Sequence, residues 1–138
     1  MFKTVLFPVD QSRDSREAAE TVAELVKLCG AKLIILSVED DSEAQGSSGG
    51  SPVSRLSPEA IDQLLESAKT TFLDWGITAE TIHRSGKIAF TICDVADELN
   101  VDIIIMGCRG IGLTEDGAND SVSNRVINLS PCPVLIVP

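Results

Sequence analysis

The chain has 138 residues and is 43% hydrophobic, which predicts one domain over residues 1–138 with a substantial buried core. Its 21 acidic residues outnumber its 11 Lys and Arg residues, and the resulting net charge of −10 disfavours binding to nucleic acid or to anionic membranes. The N-terminal apolar run is too short for a signal peptide and no later run is long enough to span a membrane, so we expect a cytoplasmic protein.

Five apolar runs rich in β-branched residues alternate with segments of helical periodicity along the chain. This alternation predicts an α/β fold, in which a parallel sheet carries helices on both faces. The predicted strands cover residues 4–9, 32–38, 77–83, 101–106 and 133–137. The third strand is the least apolar of the five, which favours a position at the edge of the sheet.

Four helices are predicted from apolar residues that recur every three or four positions. The four stripes are Ala18, Val22, Val26 and Cys29; Ile61, Leu64, Leu65, Ala68 and Phe72; Ile88, Ile92, Val95, Ala96 and Leu99; and Val122, Val126 and Leu129. Gly30 ends the first helix, and Ser57 with Pro58 begins the second. Residues 40–57 are acidic and then rich in Ser and Gly, which predicts a mobile loop.

The cysteines and the single histidine show no metal-binding spacing, so we predict no metal site. Cys29, Cys93 and Cys132 are expected to be buried thiols, whereas Cys108 lies in a glycine-rich loop where a redox role stays open. The chain has no tyrosine and no Ser-His-Asp arrangement, so no catalytic residue is assigned. His83 is interpreted as a surface or edge-strand residue.

Two loops are candidates for a ligand site at the carboxyl edge of the sheet, where open parallel sheets bind their ligands. Pro8, Val9 and Asp10 follow the first strand, and a glycine-rich run from Met106 to Gly110 follows the fourth. If these strands are neighbours, Asp10 accepts hydrogen bonds from a base or sugar while the loop N–H groups face phosphates. In a second interpretation, Asp10 caps the first helix and the glycines form a flexible connection.

Five short motifs along this chain form a set that can be compared with a known family. They are Pro-Val-Asp-Gln-Ser at residues 8–12, Ser-Gly-Lys-Ile-Ala at 85–89, Met-Gly-Cys-Arg-Gly at 106–110, Asp-Ser-Val-Ser-Asn-Arg-Val at 120–126 and Pro-Cys-Pro-Val at 131–134. Over essentially the whole chain, this set resembles the universal stress protein family. The distal half follows the family pattern G-x2-G-x9-G-[S/T], but Asp120 replaces the third glycine.

The resemblance implies an open five-stranded sheet in the order 3-2-1-4-5, which is Rossmann-like and of the adenine nucleotide alpha hydrolase-like type. It also implies a homodimer formed through the last strand, which contains Val134, Leu135, Ile136 and Val137. In ATP-binding members the matching residues surround an adenine nucleotide, ATP or AMP, and Mg²⁺ would be held only through its phosphates. These residues are Pro8, Val9, Asp10, Val38, Met106, Gly107, Arg109, Gly110, Ser121, Val122 and Ser123.

Asp120 places a carboxylate where the resemblance expects phosphate. A like-charge pair about 4 Å apart costs about 1 kcal/mol in water and about 4 kcal/mol near a protein surface, so triphosphate affinity could fall up to about a thousandfold. As a helix cap, Asp120 would also occupy the N–H group of Val122 or Ser123.

Three hypotheses about function therefore stay open. The first is a nucleotide-responsive binding module of the stress response, with phosphate affinity weakened by Asp120. The second is a stress protein that binds no nucleotide and works through dimer or partner surfaces, with an unidentified protein client. The third is slow ATP hydrolysis, which the missing acid–base groups disfavour.

Overall fold

The computed structural model describes residues 2–10, 13–40, 57–107 and 122–138. Within these residues five strands form one sheet, and four helices connect them in the order of the chain. The strands are β1 (Thr4–Pro8), β2 (Lys32–Asp40), β3 (Ala79–Gly86), β4 (Ile103–Gly107) and β5 (Val134–Val137). The helices are α1 (Arg13–Cys29), α2 (Pro58–Asp74), α3 (Ile88–Glu98) and α4 (Val122–Leu129).

All neighbouring strands are parallel, and their order is β3-β2-β1-β4-β5. The predicted α/β class and the strand order are therefore confirmed. The predicted edge position of the third strand is also confirmed, since β3 pairs with β2 at one end of the sheet. The loop predicted over residues 40–57 lies outside the described residues except at its two ends.

Both faces of the sheet are buried, because α1 and α2 cover one face while α3 and α4 cover the other. Alternate residues of β1 enter the two cores: Phe7 faces α1 and α2, whereas Leu6 faces α3 and α4. In the first core, the ring of Phe72 meets those of Phe7 and Trp75 edge to face, at centroid distances of 6.0 and 5.6 Å. Burial on both faces explains why the central strands are continuously apolar.

Several predicted boundaries were wrong by two or three residues, because local turns use residues that looked like strand. Ile77 was predicted to start β3, but its N–H group donates to the carbonyl of Phe72 and closes the turn after α2. Val101 was predicted to start β4, but its N–H group donates to the carbonyl of Ala96 at the end of α3. At the other end, the pairing of Asp40 with Gly86 extends β2 and β3 beyond their predicted ends.

Burial departs from prediction where helices end. Cys93 is buried as expected, whereas Cys29 and Cys132 are only half-buried. Leu99 and Leu129, predicted within apolar stripes, are 38% and 45% exposed. Cys29, Leu99 and Leu129 lie in or just after a final helical turn, which projects past the packed face, and Cys132 lies in the turn before β5. Cys108 lies outside the described residues.

Three junctions are fixed by specific local chemistry. The Ser57 hydroxyl accepts a hydrogen bond from the N–H group of Ala60 (3.1 Å) and caps α2 as predicted. The Asp102 carboxylate joins the starts of β4 and β1, because its Oδ2 accepts from the backbone N–H groups of Lys3 (2.9 Å) and Thr4 (2.8 Å). These bonds link positions about a hundred residues apart in the chain.

Gly86 ends β3 with φ of 151°, a conformation that L side chains rarely adopt. A Cβ atom at this position would lie 2.6 Å from Oγ1 of Thr91 on α3. The glycine therefore permits the close approach of β3 to the helix that follows it. None of the helices in the described ranges combines the length and the apolar character needed to cross a bilayer.

Candidate functional site

The hydrogen-bonded pairing of the two central strands ends early at the carboxyl edge of the sheet. The pairing of β1 with β4 ends at Leu6 and Ile104. In contrast, β1 stays paired with β2 as far as Pro8 and Leu36, and β4 stays paired with β5 as far as Gly107. Pairing between the two central strands therefore ends before the strands do, and Pro8 has no N–H group with which to continue it. From β1 the chain continues to β2 on one side of the sheet, and from β4 it continues to β5 on the other side, so the strand order reverses between β1 and β4. Open α/β sheets form their ligand crevices at this point.

The residues that follow β1 are held firmly at one side of this crevice. The N–H group of Val9 donates to the carbonyl of Leu36 (2.8 Å), which continues the contact between β1 and β2 beyond the end of β1. Asp10 is half-buried, and its N–H group donates to Oγ of Ser15 (3.1 Å). The Ser15 hydroxyl donates in turn to Oδ1 of Asp10 (3.0 Å). Asp10 is therefore bonded to the first turn of α1 through the Ser15 side chain, and its role as a helix cap stays a prediction.

Sequence reasoning missed Ser15. The spacing of five residues between Asp10 and Ser15 matches no standard capping pattern, so only the path of the chain reveals the pair.

The other described candidates lie on several elements. Met106 is buried and Val38 is half-buried, and both pack in the core beneath α3 and α4. Gly107 ends β4 beside the crevice. Val122 and Ser123 begin α4, and the Val122 side chain packs against the same core. The structure thus brings Pro8, Val9, Asp10, Met106 and Gly107 to adjacent strand ends, while Val38 lies farther along β2.

The remaining candidates lie outside the described residues. They are Arg109, Gly110, Asp120 and Ser121. The expected contacts of the glycine-rich loop with phosphate therefore stay predictions.

The last strand lies at the second edge of the sheet. Among the described strands, β5 pairs only with β4. Val134, Ile136 and Val137 are half-buried by their own chain, whereas Leu135 is 36% exposed. Such an edge leaves backbone hydrogen-bonding groups available to another strand.

His83 lies on the edge strand β3, in agreement with its interpretation. Its Nδ1 is 3.1 Å from Oδ1 of Asp62 on α2, and its Nε2 is 3.3 Å from Oε1 of Glu39 on β2. The imidazole therefore links three elements. Across the described ranges, no group of three or more His, Cys, Asp or Glu residues has an arrangement that could hold a metal ion.

Two thiols belong to the core that α3 and α4 cover: Cys93 lies on α3, and Cys132 lies in the turn before β5. Burial raises the pKa of Cys93, and the nearby Asp94 carboxylate adds to the increase. Burial also raises the pKa of Cys132, although a hydrogen bond with Ser130 acts in the opposite direction. Both groups are therefore kept as neutral thiols, which are poor nucleophiles.

The fold and the crevice define an open α/β protein of the kind that binds a small ligand at the switch point of its sheet. The model of the universal stress protein family matches residues 1–138. Universal stress protein Sll1654 from Synechocystis is 54% identical, with alignment over 100% of this chain and 87% of the relative. This chain therefore belongs to the universal stress protein family, and the resemblance inferred from the motifs is confirmed.

Solved structures of the family share the architecture. A universal stress protein in complex with cAMP superposes with a TM-score of 0.79 at 24% identity, over 99% of this chain and 97% of that one. The universal stress protein from Archaeoglobus fulgidus in complex with dAMP gives a TM-score of 0.73 at 20% identity, over 99% and 98% of the two chains. At these identities the likeness establishes a common fold.

Proposed function

We propose that this chain is a nucleotide-responsive binding module of the stress response, which binds an adenine nucleotide in the crevice between β1 and β4. The observation that carries the proposal is the early end of β1–β4 pairing at Leu6 and Ile104, at the point where the strand order reverses. Asp10 and Gly107 follow or end these strands. They are the positions at which a ligand in the crevice would meet a carboxylate and an exposed backbone.

Two structures with the same fold support this choice of ligand, because their proteins are in complex with cAMP and dAMP. Both ligands contain an adenine base, a sugar and one phosphate group. In this chain Asp10 would accept a hydrogen bond from the base or sugar, and Val38 with Met106 would supply apolar contact to the ring. The proposed phosphate-binding residues are Arg109, Gly110, Ser121, Val122 and Ser123.

Because of Asp120, we expect the affinity to depend on the number of phosphate groups of the nucleotide. Its carboxylate repels an anion close to the start of α4, and the repulsion grows with the number of phosphate charges nearby. We therefore expect AMP to be tolerated better than ATP. Mg²⁺ would lessen the difference, since it would bind the phosphates and offset part of their charge.

Calorimetric titration with AMP, ADP and ATP, with and without Mg²⁺, tests this function. Asp120→Gly should strengthen ATP binding by between about fivefold and a thousandfold and affect AMP less. Asp10→Ala should weaken the binding of all three nucleotides. Asp74→Ala is the matched control, because it removes one exposed carboxylate at the end of α2, at the opposite edge of the sheet.

Two results would contradict the proposal at different points. Neither heat nor competition at millimolar nucleotide would reject nucleotide binding itself. Equal ATP affinity of the wild type and Asp120→Gly would reject the electrostatic role of Asp120 while leaving the crevice as the binding site.

A second candidate function works through protein surfaces without nucleotide. It is favoured by exposed apolar residues near the β5 edge: Ile127 is 51% exposed, Leu129 is 45% exposed and Leu135 is 36% exposed. We propose that this edge forms a homodimer, in which a second copy covers β5. The dimer is compatible with either function, and nucleotide titration distinguishes them.

Sedimentation velocity tests the proposed dimer. Leu135→Asp should shift the protein toward monomer, because a carboxylate would be placed in the apolar contact. Leu28→Asp is the control, since Leu28 is 84% exposed on α1, away from β5. Equal sedimentation of both variants and the wild type would argue against an interface at β5.

A further inference from the structure

Asp10 and Ser15 are joined by two hydrogen bonds that share one hydroxyl group. A single hydroxyl accepts a hydrogen bond from the N–H group of Asp10 (3.1 Å) and donates one to its Oδ1 (3.0 Å). Since an ionised carboxylate can only accept, the direction of the second bond is fixed. Ser15 therefore bonds both the backbone and the side chain of Asp10.

Both sides of this contact are anchored to the core. Ser15 lies in the first turn of α1, and Ala18 and Ala19, three and four residues later, are 0% and 7% exposed against the sheet. On the other side, the bond from Val9 to the carbonyl of Leu36 fixes the residue that precedes Asp10. The Asp10 carboxylate is thus held between a packed helix and the strand network.

This contact is compatible with ligand binding. The two oxygens of a carboxylate offer about four acceptor positions, so a carboxylate can accept from a protein hydroxyl and from a ligand at the same time. A carboxylate whose orientation is set before the ligand arrives loses less conformational entropy when it accepts a hydrogen bond from that ligand.

We propose that Ser15 is the positioning residue for Asp10, and that it thereby sets both the affinity and the selectivity of the crevice for adenine nucleotides. This inference rests on the proposed function. Ser15 does not itself contact the ligand in this account. A serine that merely stabilised the start of α1 would affect folding but not the preference among bound nucleotides, which separates the two roles.

The first measurement requires no ligand. Amide hydrogen exchange at Asp10 should be at least about tenfold faster in Ser15→Ala, because the N–H group loses its acceptor. Ser15→Thr keeps a hydroxyl at the same position and should restore protection. Unchanged exchange in Ser15→Ala would show that the contact does not hold Asp10 and would overturn the inference.

The second measurement uses AMP, IMP and dAMP in calorimetric titrations. IMP lacks the amino group of adenine and dAMP lacks one sugar hydroxyl, so each lacks one donor that Asp10 could bind. Ser15→Ala should bind AMP about tenfold more weakly than the wild type, and its preference for AMP over IMP or dAMP should fall. Ser15→Thr should restore both. In an Asp10→Ala background, removal of Ser15 should cause no further loss.

The outcomes separate this inference from the proposed function. If the wild type binds none of the three nucleotides, the proposed function is rejected and the ligand-binding role of Ser15 with it. If the wild type binds AMP but Ser15→Ala binds all three with unchanged affinity, or with equally reduced affinity, the proposed function stands and the positioning role is wrong.

Discussion

Replacement of Phe72 by alanine would remove the largest of the buried side chains by which α2 packs on the sheet. Phe72 is 1% exposed, and its ring contacts Phe7 and Trp75 at interplanar angles of 86° and 87°. A buried Phe→Ala substitution costs about 3–5 kcal/mol, and an edge-to-face pair contributes about 0.5–1.5 kcal/mol beyond area burial. The cost of the substitution already includes such pairs, so two of them place the expected loss at the upper end of the range, about 4–5 kcal/mol. This is a large part of the stability of a domain.

Urea unfolding followed by circular dichroism measures this loss directly. Both proteins must be compared at one concentration, because dimerisation would add to the apparent stability. Leu73→Ala is a matched control: it lies next to Phe72 on α2, but its side chain is 58% exposed, and we expect a loss of about 0.5 kcal/mol or less. If Phe72→Ala cost less than about 1 kcal/mol, or no more than Leu73→Ala, the described packing of α2 would be wrong.

Three further substitutions or conditions test other parts of the fold. Asp102→Ala should lower stability by about 1–3 kcal/mol in urea unfolding, because the N–H groups of Lys3 and Thr4 lose their acceptor, whereas Asp102→Asn, which keeps an acceptor oxygen, should lower stability less. Gly86→Ala should lower the melting temperature more than Gly30→Ala. Both glycines have positive φ, but of the two only Gly86 lacks space for a Cβ atom, so equal melting temperatures of the two variants would contradict this reasoning. The raised pKa values of Cys93 and Cys132 mean that the folded state favours the neutral thiols. Their contribution to folding stability is therefore fully present below the ordinary thiol pKa of 9.0, and it is lost as the pH rises through the raised pKa values of the folded protein. Peptide mapping after iodoacetamide treatment at neutral pH should show slower alkylation of both thiols in the native protein than in denaturant, and equal rates would refute their protection.

The local pattern of the sequence was sufficient to place most elements. The continuous apolar residues of β2 reflect burial on both faces, and the weaker apolar content of β3 reflects its edge position. Helix stripes were correct in the middle of each helix and failed at Leu99 and Leu129, near helix ends. The strand boundaries failed at Ile77 and Val101, because a turn and a strand can use the same apolar residue.

The candidate site was predictable to a smaller degree. The position of Asp10 and Gly107 after the first and fourth strands followed from the pattern, but their proximity depended on which strands are neighbours. That order came with the family motifs, because hydrophobic periodicity carries no information about neighbours. Neither the pattern nor the motifs indicated the bond of Ser15 to Asp10 or the placement of His83 between Asp62 and Glu39.

The sequence by itself determined the α/β class, the faces of the helices and the family, since these depend on local periodicity and on short motifs. Only the tertiary structure decided where the pairing of β1 with β4 ends and how the Asp10 carboxylate is bonded. The physical reason is that strand pairing joins residues that are distant in the chain. The orientation of Asp10 depends likewise on a helix whose position is fixed by packing on the sheet.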